Sequence, residues 1–81
     1  MKVPAKLGTL LEIHWDDICA FTNQTVTESK PARCITIGRL AAKRPDHIVV
    51  ATSLFETRAD QTPEGDFVAI PLGVIRRIRR L

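Results

Sequence analysis

Two stretches of the chain decide its fold: RCITIGRLAAKRPDHIVVATSLF at residues 33–55 and DFVAIPLGVIRRIRRL at residues 66–81. Both are rich in β-branched residues and are interrupted by residues that favour bends. We expect those bends at Gly38, at Pro45-Asp46 and at Pro71-Leu72-Gly73. The pattern predicts an all-β fold, a five-stranded and strongly bent small barrel.

The rest of the chain supplies one more strand and two loops. Residues 7–15, LGTLLEIHW, alternate apolar and polar side chains, as a strand with one buried face does. Asp16-Asp17 is expected to turn the chain. Residues 20–32 and 56–65 are polar and poor in core residues, and we expect long loops there.

The second predicted strand, residues 33–43, contains the main bend. Ile35 and Ile37 share a face, and Leu40 returns to that face only if the strand bulges at Gly38. Residues 47–55 and 66–70 form the next two strands, on either side of the 56–65 loop. The predicted core comprises Leu11, Ile13, Trp15, Ile35, Ile37, Leu40, Ile48, Val50, Phe55, Val68, Ile70, Ile75 and Ile78.

Residues 74–81 are compatible with two structures. The apolar residues Val74, Ile75, Ile78 and Leu81 have a spacing that also fits a helix. The β-branched residues and the preceding Pro71-Leu72-Gly73 favour a final strand after one turn of 3₁₀ helix.

Length and composition predict a single domain over residues 1–81. No stretch approaches the roughly 20 apolar residues that span a bilayer, so we expect a cytoplasmic protein without membrane contact. Cys19 and Cys34 are too far apart for a CxxC motif and are expected to be buried free thiols.

Charge is distributed unevenly along the chain. Residues 7–29 contain acidic residues but no Lys or Arg, whereas the last eight residues contain four arginines and no acid. Guanidinium groups suit phosphate oxygens, so a nucleic-acid backbone is one candidate partner. The other interpretation is a charged strand edge that prevents aggregation or meets an acidic region of a neighbouring subunit. The candidate binding residues are Arg76, Arg77, Arg79 and Arg80.

Catalytic and metal sites find little support in the sequence. Glu12, His14 and Asp16 share one strand face, but alternate residues of a strand lie only ~7 Å apart and do not converge on one ion. Neighbouring Asp16 and Asp17 point to opposite faces, which does not suit acid–base catalysis. We therefore expect no enzyme activity, no metal and no cofactor.

Several segments resemble a group of small phage and prophage proteins that carry no established activity. The similarity lies in the Trp15-Asp16 pair, IGRL at residues 37–40, RPDHIVVA at 44–51 and AIPLGVIRRIRRL at 69–81. Arg39 stands where an aromatic residue is common in that group. The resemblance implies a phage or prophage origin and a bacterial host cell, and it implies no chemistry.

The succession of segments is also similar to the Sm-like and SH3-like small barrels, in which a short turn precedes the closing strand. Sm-like proteins assemble into rings and bind RNA. Asp46 stands two residues from their acidic position, an apolar residue near Val49 replaces their base-pocket Asn, and Pro71-Leu72-Gly73 replaces their Arg-Gly turn. The resemblance therefore implies the fold and ring-like assembly, without the base-binding residues.

From these observations we expect a non-catalytic phage or prophage accessory protein that acts through protein contacts. Its expected partners are further copies of the chain, in a homo-oligomer, or a phage or host protein. The alternative is a nucleic-acid-binding module that uses Arg76, Arg77, Arg79 and Arg80.

Overall fold

The structure is a computed structural model that describes residues 2–20, 22–56 and 60–81. Five strands form one antiparallel sheet in the order β4-β3-β2-β1-β5. Among the described residues there is no α-helix. The sheet is open: β4 and β5 are its two edge strands, each paired with one neighbour only. This confirms the prediction of a five-stranded all-β fold. The strands are β1 (Leu10–Asp17), β2 (Ala32–Lys43), β3 (His47–Leu54), β4 (Gly65–Pro71) and β5 (Ile75–Arg80).

The last segment is a strand and not a helix. It follows a 3₁₀ turn over Leu72–Val74, as the Pro71-Leu72-Gly73 sequence predicted. β5 then pairs antiparallel with β1, and Ile78 lies opposite Ile13. The β2–β3 hairpin is also confirmed, because the amide of Arg44 donates to the carbonyl of His47 across 2.9 Å.

The first strand is longer than the sequence indicated. The predicted turn at Asp16-Asp17 is wrong: both residues belong to β1, where they lie opposite Arg33 and Ala32 of β2. The chain reverses between Asp17 and Ala32 instead, with a 3₁₀ turn over Val26–Glu28. Pairing with β2 outweighs the preference of the two aspartates for turns. In the second predicted loop, residues 57–59 lie outside the described residues.

Gly38 allows a close approach between strands and does not form the predicted bulge. It pairs in register with Leu11, and the irregularity of β2 lies further on, between Leu40 and Ala42. A Cβ atom at Gly38 would meet the carbonyl oxygen of Ala51 and would lie 2.6 Å from the side chain of Val50. The absence of a side chain at Gly38 is therefore what allows β3 to pack so closely against β2.

The core lies on one face of the sheet, and three predicted members are absent from it. Ile35, Ile37 and Phe55 are 60%, 53% and 71% exposed. In β2 the alternation places Thr36 and Leu40 on the core side, so Ile35 and Ile37 must lie on the opposite face. The buried hydrophobic residues are Val3, Leu11, Ile13, Leu40, Ile48, Val50, Ala51, Ile70 and Ile75.

The segment before β1 is part of the fold. Val3 is buried in the core cluster, and the Nζ of Lys43 donates to the carbonyl of Ala5 across 2.8 Å. Two backbone hydrogen bonds then join Gly8 and Thr9 to Leu40 of β2. Gly8 has a φ of +88°, which favours glycine. The short MKVPAK sequence has no periodic pattern that predicts this anchorage.

Candidate functional site

The four C-terminal arginines are exposed, but β5 does not bring them together. Register with β1 places Arg77 opposite His14 and Arg79 opposite Glu12, on the face away from the core. Arg76 is an extra residue at the irregularity beside Trp15. Arg80 lies opposite the buried Leu11 and so has the other orientation. The candidate cluster is thus divided between the two faces of the sheet.

Glu12 is the centre of a charged network on the outer face. Its Oε2 lies 3.1 Å from His14 Nε2 and 3.1 Å from Arg79 Nε. The hydrogen bond from His14 and the charge of Arg79 outweigh burial, and they lower the pKa of Glu12. Arg77 Nη2 lies 3.3 Å from the same His14 nitrogen. That nitrogen can donate to Glu12 or accept from Arg77, so the two hydrogen bonds exclude each other.

Arg76 is held by a second acidic residue of β1. Its Nε lies 2.9 Å from Asp16 Oδ1, and both side chains are about one-third exposed. The acidic residues that the sequence suggested for a neighbouring subunit therefore pair with these arginines within one chain. A phosphate group at Arg76 or Arg79 would have to compete with a carboxylate already in place.

The outer face also carries large apolar side chains. Ile35 and Ile37 of β2 lie opposite His14 and Glu12. Next to them, two grooves share Arg39, Ala51 and Leu54 among their lining residues, and Ile37 lines the first of these. We call this surface the apolar strip. Its members are Leu7, Ile35, Ile37, Leu54 and Phe67, which are 42–61% exposed.

The thiols and imidazoles do not form a catalytic arrangement in the described residues. Cys19 is exposed and Cys34 is half-buried, so the prediction of buried thiols is wrong. Each Sγ lies 3.8 Å from a nearby backbone carbonyl, of Asp17 and Ala32 respectively. His47 Nδ1 lies 2.6 Å from Asp46 Oδ1, and this hydrogen bond lowers the pKa of Asp46.

Trp15 lies on the core side of β1, as the sequence predicted. It is half-buried against the core cluster. Its indole N–H donates to the hydroxyl of Thr36 across 2.9 Å. Tryptophan in this position contributes to the stability of the sheet and leaves the outer face to the charged network and the apolar strip.

The chain matches no protein-family model, no curated protein and no solved structure. Across the described residues, no helix has both the length and the apolar character needed to cross a membrane.

Proposed function

We propose that this chain is a non-catalytic accessory protein that acts through protein contacts, beginning with association between its own copies. The observation that carries the proposal is the apolar strip. Leu7, Ile37, Leu54 and Phe67 line two grooves that share Arg39, Ala51 and Leu54. Ile35 lies two residues from Ile37 on the same face of β2, beside the charged network. Large apolar surfaces with a polar rim are typical of interaction sites.

The small core supports the same interpretation. A chain of 81 residues buries a limited share of its surface, and subunit association commonly adds to that burial. Two isoleucines on the outer face, which are only 60% and 53% exposed, gain about 1–1.5 kcal/mol each when a partner covers the rest of their surface. A two-fold arrangement would place the apolar strip of one copy against that of the next, since such interfaces use the same surface twice.

The edge of the sheet is a less suitable interface than its face. The amide of Leu81 donates to the carbonyl of Leu10 across 3.0 Å. Antiparallel alternation then turns the backbone groups of Ile78 and Arg80 away from β1, toward a potential added strand. The four arginines of β5 surround that edge, and charge of one sign discourages strand addition.

The finer description of the fold is part of this proposal. The antiparallel order and the 3₁₀ turn before β5 support an Sm-like or SH3-like small barrel. A phage or prophage origin, and action inside a bacterial host cell, rest on the sequence resemblance of Trp15-Asp16 and of residues 37–40, 44–51 and 69–81. Nucleic-acid binding by the β5 arginines is the weaker alternative, because Arg76 and Arg79 are paired with Asp16 and Glu12.

Sedimentation velocity over a range of protein concentrations tests the proposal. We expect the native chain to associate, and the double variant Ile35→Lys/Ile37→Lys to stay monomeric with an unchanged far-UV spectrum. Loss of the two side chains should weaken association by about 100-fold or more. The matched control is Ile18→Lys/Val26→Lys, which changes two residues that are 87% and 92% exposed in the loop. A monomeric native chain, or equal effects of both variants, would refute the role of the apolar strip.

A further inference from the structure

We propose that the chain also binds the phosphate backbone of a nucleic acid, in a basic cleft at the end of the sheet. The basic cleft is an open cavity of about 480 Å³, and its charged lining consists of Lys2, Lys6, Lys43 and Arg80. It is separate from the apolar strip and does not use Arg76, Arg77 or Arg79. The proposal therefore does not depend on self-association.

The fold holds these cations in place. Burial of Val3 anchors the first segment to the core, and Lys2, its neighbour in the chain, lines the cleft. Lys43 donates to the carbonyl of Ala5, which ties the same segment to β2 before Lys6. Arg80 lies opposite Leu11, on the face of the sheet away from the charged network, and so reaches the cleft. Three separate parts of the chain thus contribute charge to one cavity.

The cleft has no acidic lining residue. Glu12, Asp16 and Asp46 instead pair with Arg79, Arg76 and His47, which lie outside the cleft. A neighbouring groove continues the basic surface. It shares Lys2 and Lys43 with the cleft and adds Arg44. The cations of the cleft and of the groove thus form one continuous basic surface, which suits an extended polyanion better than a single phosphate.

The shape and composition of the cleft favour a nucleic-acid strand over a lipid surface. A concave cavity can enclose part of a strand, whereas a bilayer presents a flat surface. The residues that line the cleft and its neighbouring groove include no aromatic side chain to insert into lipid or to stack on bases. Recognition should therefore depend on phosphate contacts and show no base preference.

Fluorescence anisotropy with labelled oligo(U) RNA and a labelled DNA duplex tests this site. We expect saturable binding at low salt without sequence preference. Four phosphate contacts predict a slope of log K against log salt of about −3 for the single strand and between about −3 and −4 for the duplex. The variant Lys2→Gln/Lys6→Gln/Lys43→Gln/Arg80→Gln should lose this binding. Lys2→Gln/Lys6→Gln/Arg80→Gln, which retains the Lys43–Ala5 hydrogen bond, should reduce the slope by about 2–3.

The matched control is Lys30→Gln/Arg33→Gln/Arg76→Gln/Arg77→Gln. It removes the same number of positive charges, from the native net charge of +3, at residues that do not line the cleft. This control should retain the native salt slope. The proposal is overturned if the control and cleft variants lose affinity equally, or if only the control loses it. It is also overturned if the native chain binds neither oligonucleotide, including the case in which it binds phosphatidylglycerol vesicles instead.

Discussion

The indole nitrogen of Trp15 donates a hydrogen bond of 2.9 Å to the hydroxyl of Thr36, and this bond links β1 to β2 beside the core. Thr36 lies two residues beyond Cys34, the residue directly opposite Trp15 in the register. The bond is therefore a diagonal cross-strand contact. It satisfies the polar end of a tryptophan whose ring packs against the core cluster.

Thr36→Val should test that contact, because valine has nearly the same shape and cannot accept the indole hydrogen. We expect the free energy of unfolding to fall by about 1 kcal/mol, the usual cost of a half-buried polar group left without its partner. Urea denaturation measures the change. Thr27→Val, in the exposed 3₁₀ turn, removes only a solvent-exposed hydrogen bond to Thr25 and should alter stability by less than about 0.5 kcal/mol. Equal effects of the two substitutions would argue against a stabilising role for this bond.

Gly38→Ala should destabilise the protein strongly. The new methyl group would meet the backbone of Ala51 and the side chain of Val50, and the backbone carbonyl cannot move aside without disturbing β3. We expect a loss of about 3 kcal/mol in thermal or urea unfolding. Gly73→Ala is the control, since a Cβ there has no neighbour within 4 Å. Its stability should stay within about 1 kcal/mol of the native chain. Similar behaviour of both variants would contradict the close approach of β2 and β3.

The lowered pKa of Glu12 predicts an acid-dependent loss of stability. A carboxyl group with a lower pKa in the folded state than in the unfolded state stabilises the fold above its unfolded pKa, about 4.3 for Glu. That contribution is lost as the pH falls from there through the lowered folded pKa. Glu12→Gln should therefore flatten the decline of stability in that acid range. His14→Ala should raise the pKa of Glu12 in an NMR titration, because the hydrogen bond from His14 is the main cause of its lowering. An unchanged Glu12 titration in His14→Ala would contradict this assignment.

The two cysteines should differ in reactivity in the native state. Cys19 is exposed, whereas Cys34 is half-buried opposite Trp15 on β2. We expect a thiol reagent such as DTNB to modify Cys19 faster than Cys34 without denaturant, since access limits the reaction of ordinary thiols. Cys19→Ser and Cys34→Ser separate the two rates. Slow reaction of both thiols in the native chain would show that Cys19 is covered, for example by association.

The strands could be predicted because their local signals agree. The β-branched run of β3, the Arg44-Pro45-Asp46 turn and the Pro71-Leu72-Gly73 turn each indicate the structure that forms. The face of β2 could not be predicted so well. Ile35 and Ile37 are apolar, so composition alone places them in the core. Thr36 and Leu40 lie on the core side, however, and the alternation of side chains along β2 then places Ile35 and Ile37 on the other face.

The candidate site was harder to predict for a related reason. A run of arginines is visible in the sequence, but which partner each one meets depends on the register of β5 against β1. Lys2, Lys6 and Lys43 are far apart along the chain from Arg80, and no periodic pattern connects them. Only the packing of Val3 and the Lys43–Ala5 hydrogen bond bring these cations to one cleft.

The position of β1 between β2 and β5 has a consequence for synthesis. β1 is synthesised before both of its partners, and three strands separate it from β5 along the sequence. Ile78 must be translated before the second edge of β1 can pair at Ile13. Such long-range pairing slows folding, so one edge of this half-apolar strand stays without its partner until β5 has been synthesised. A chaperone that shields residues 10–17 during that interval would act on the step at which this protein is most exposed to aggregation.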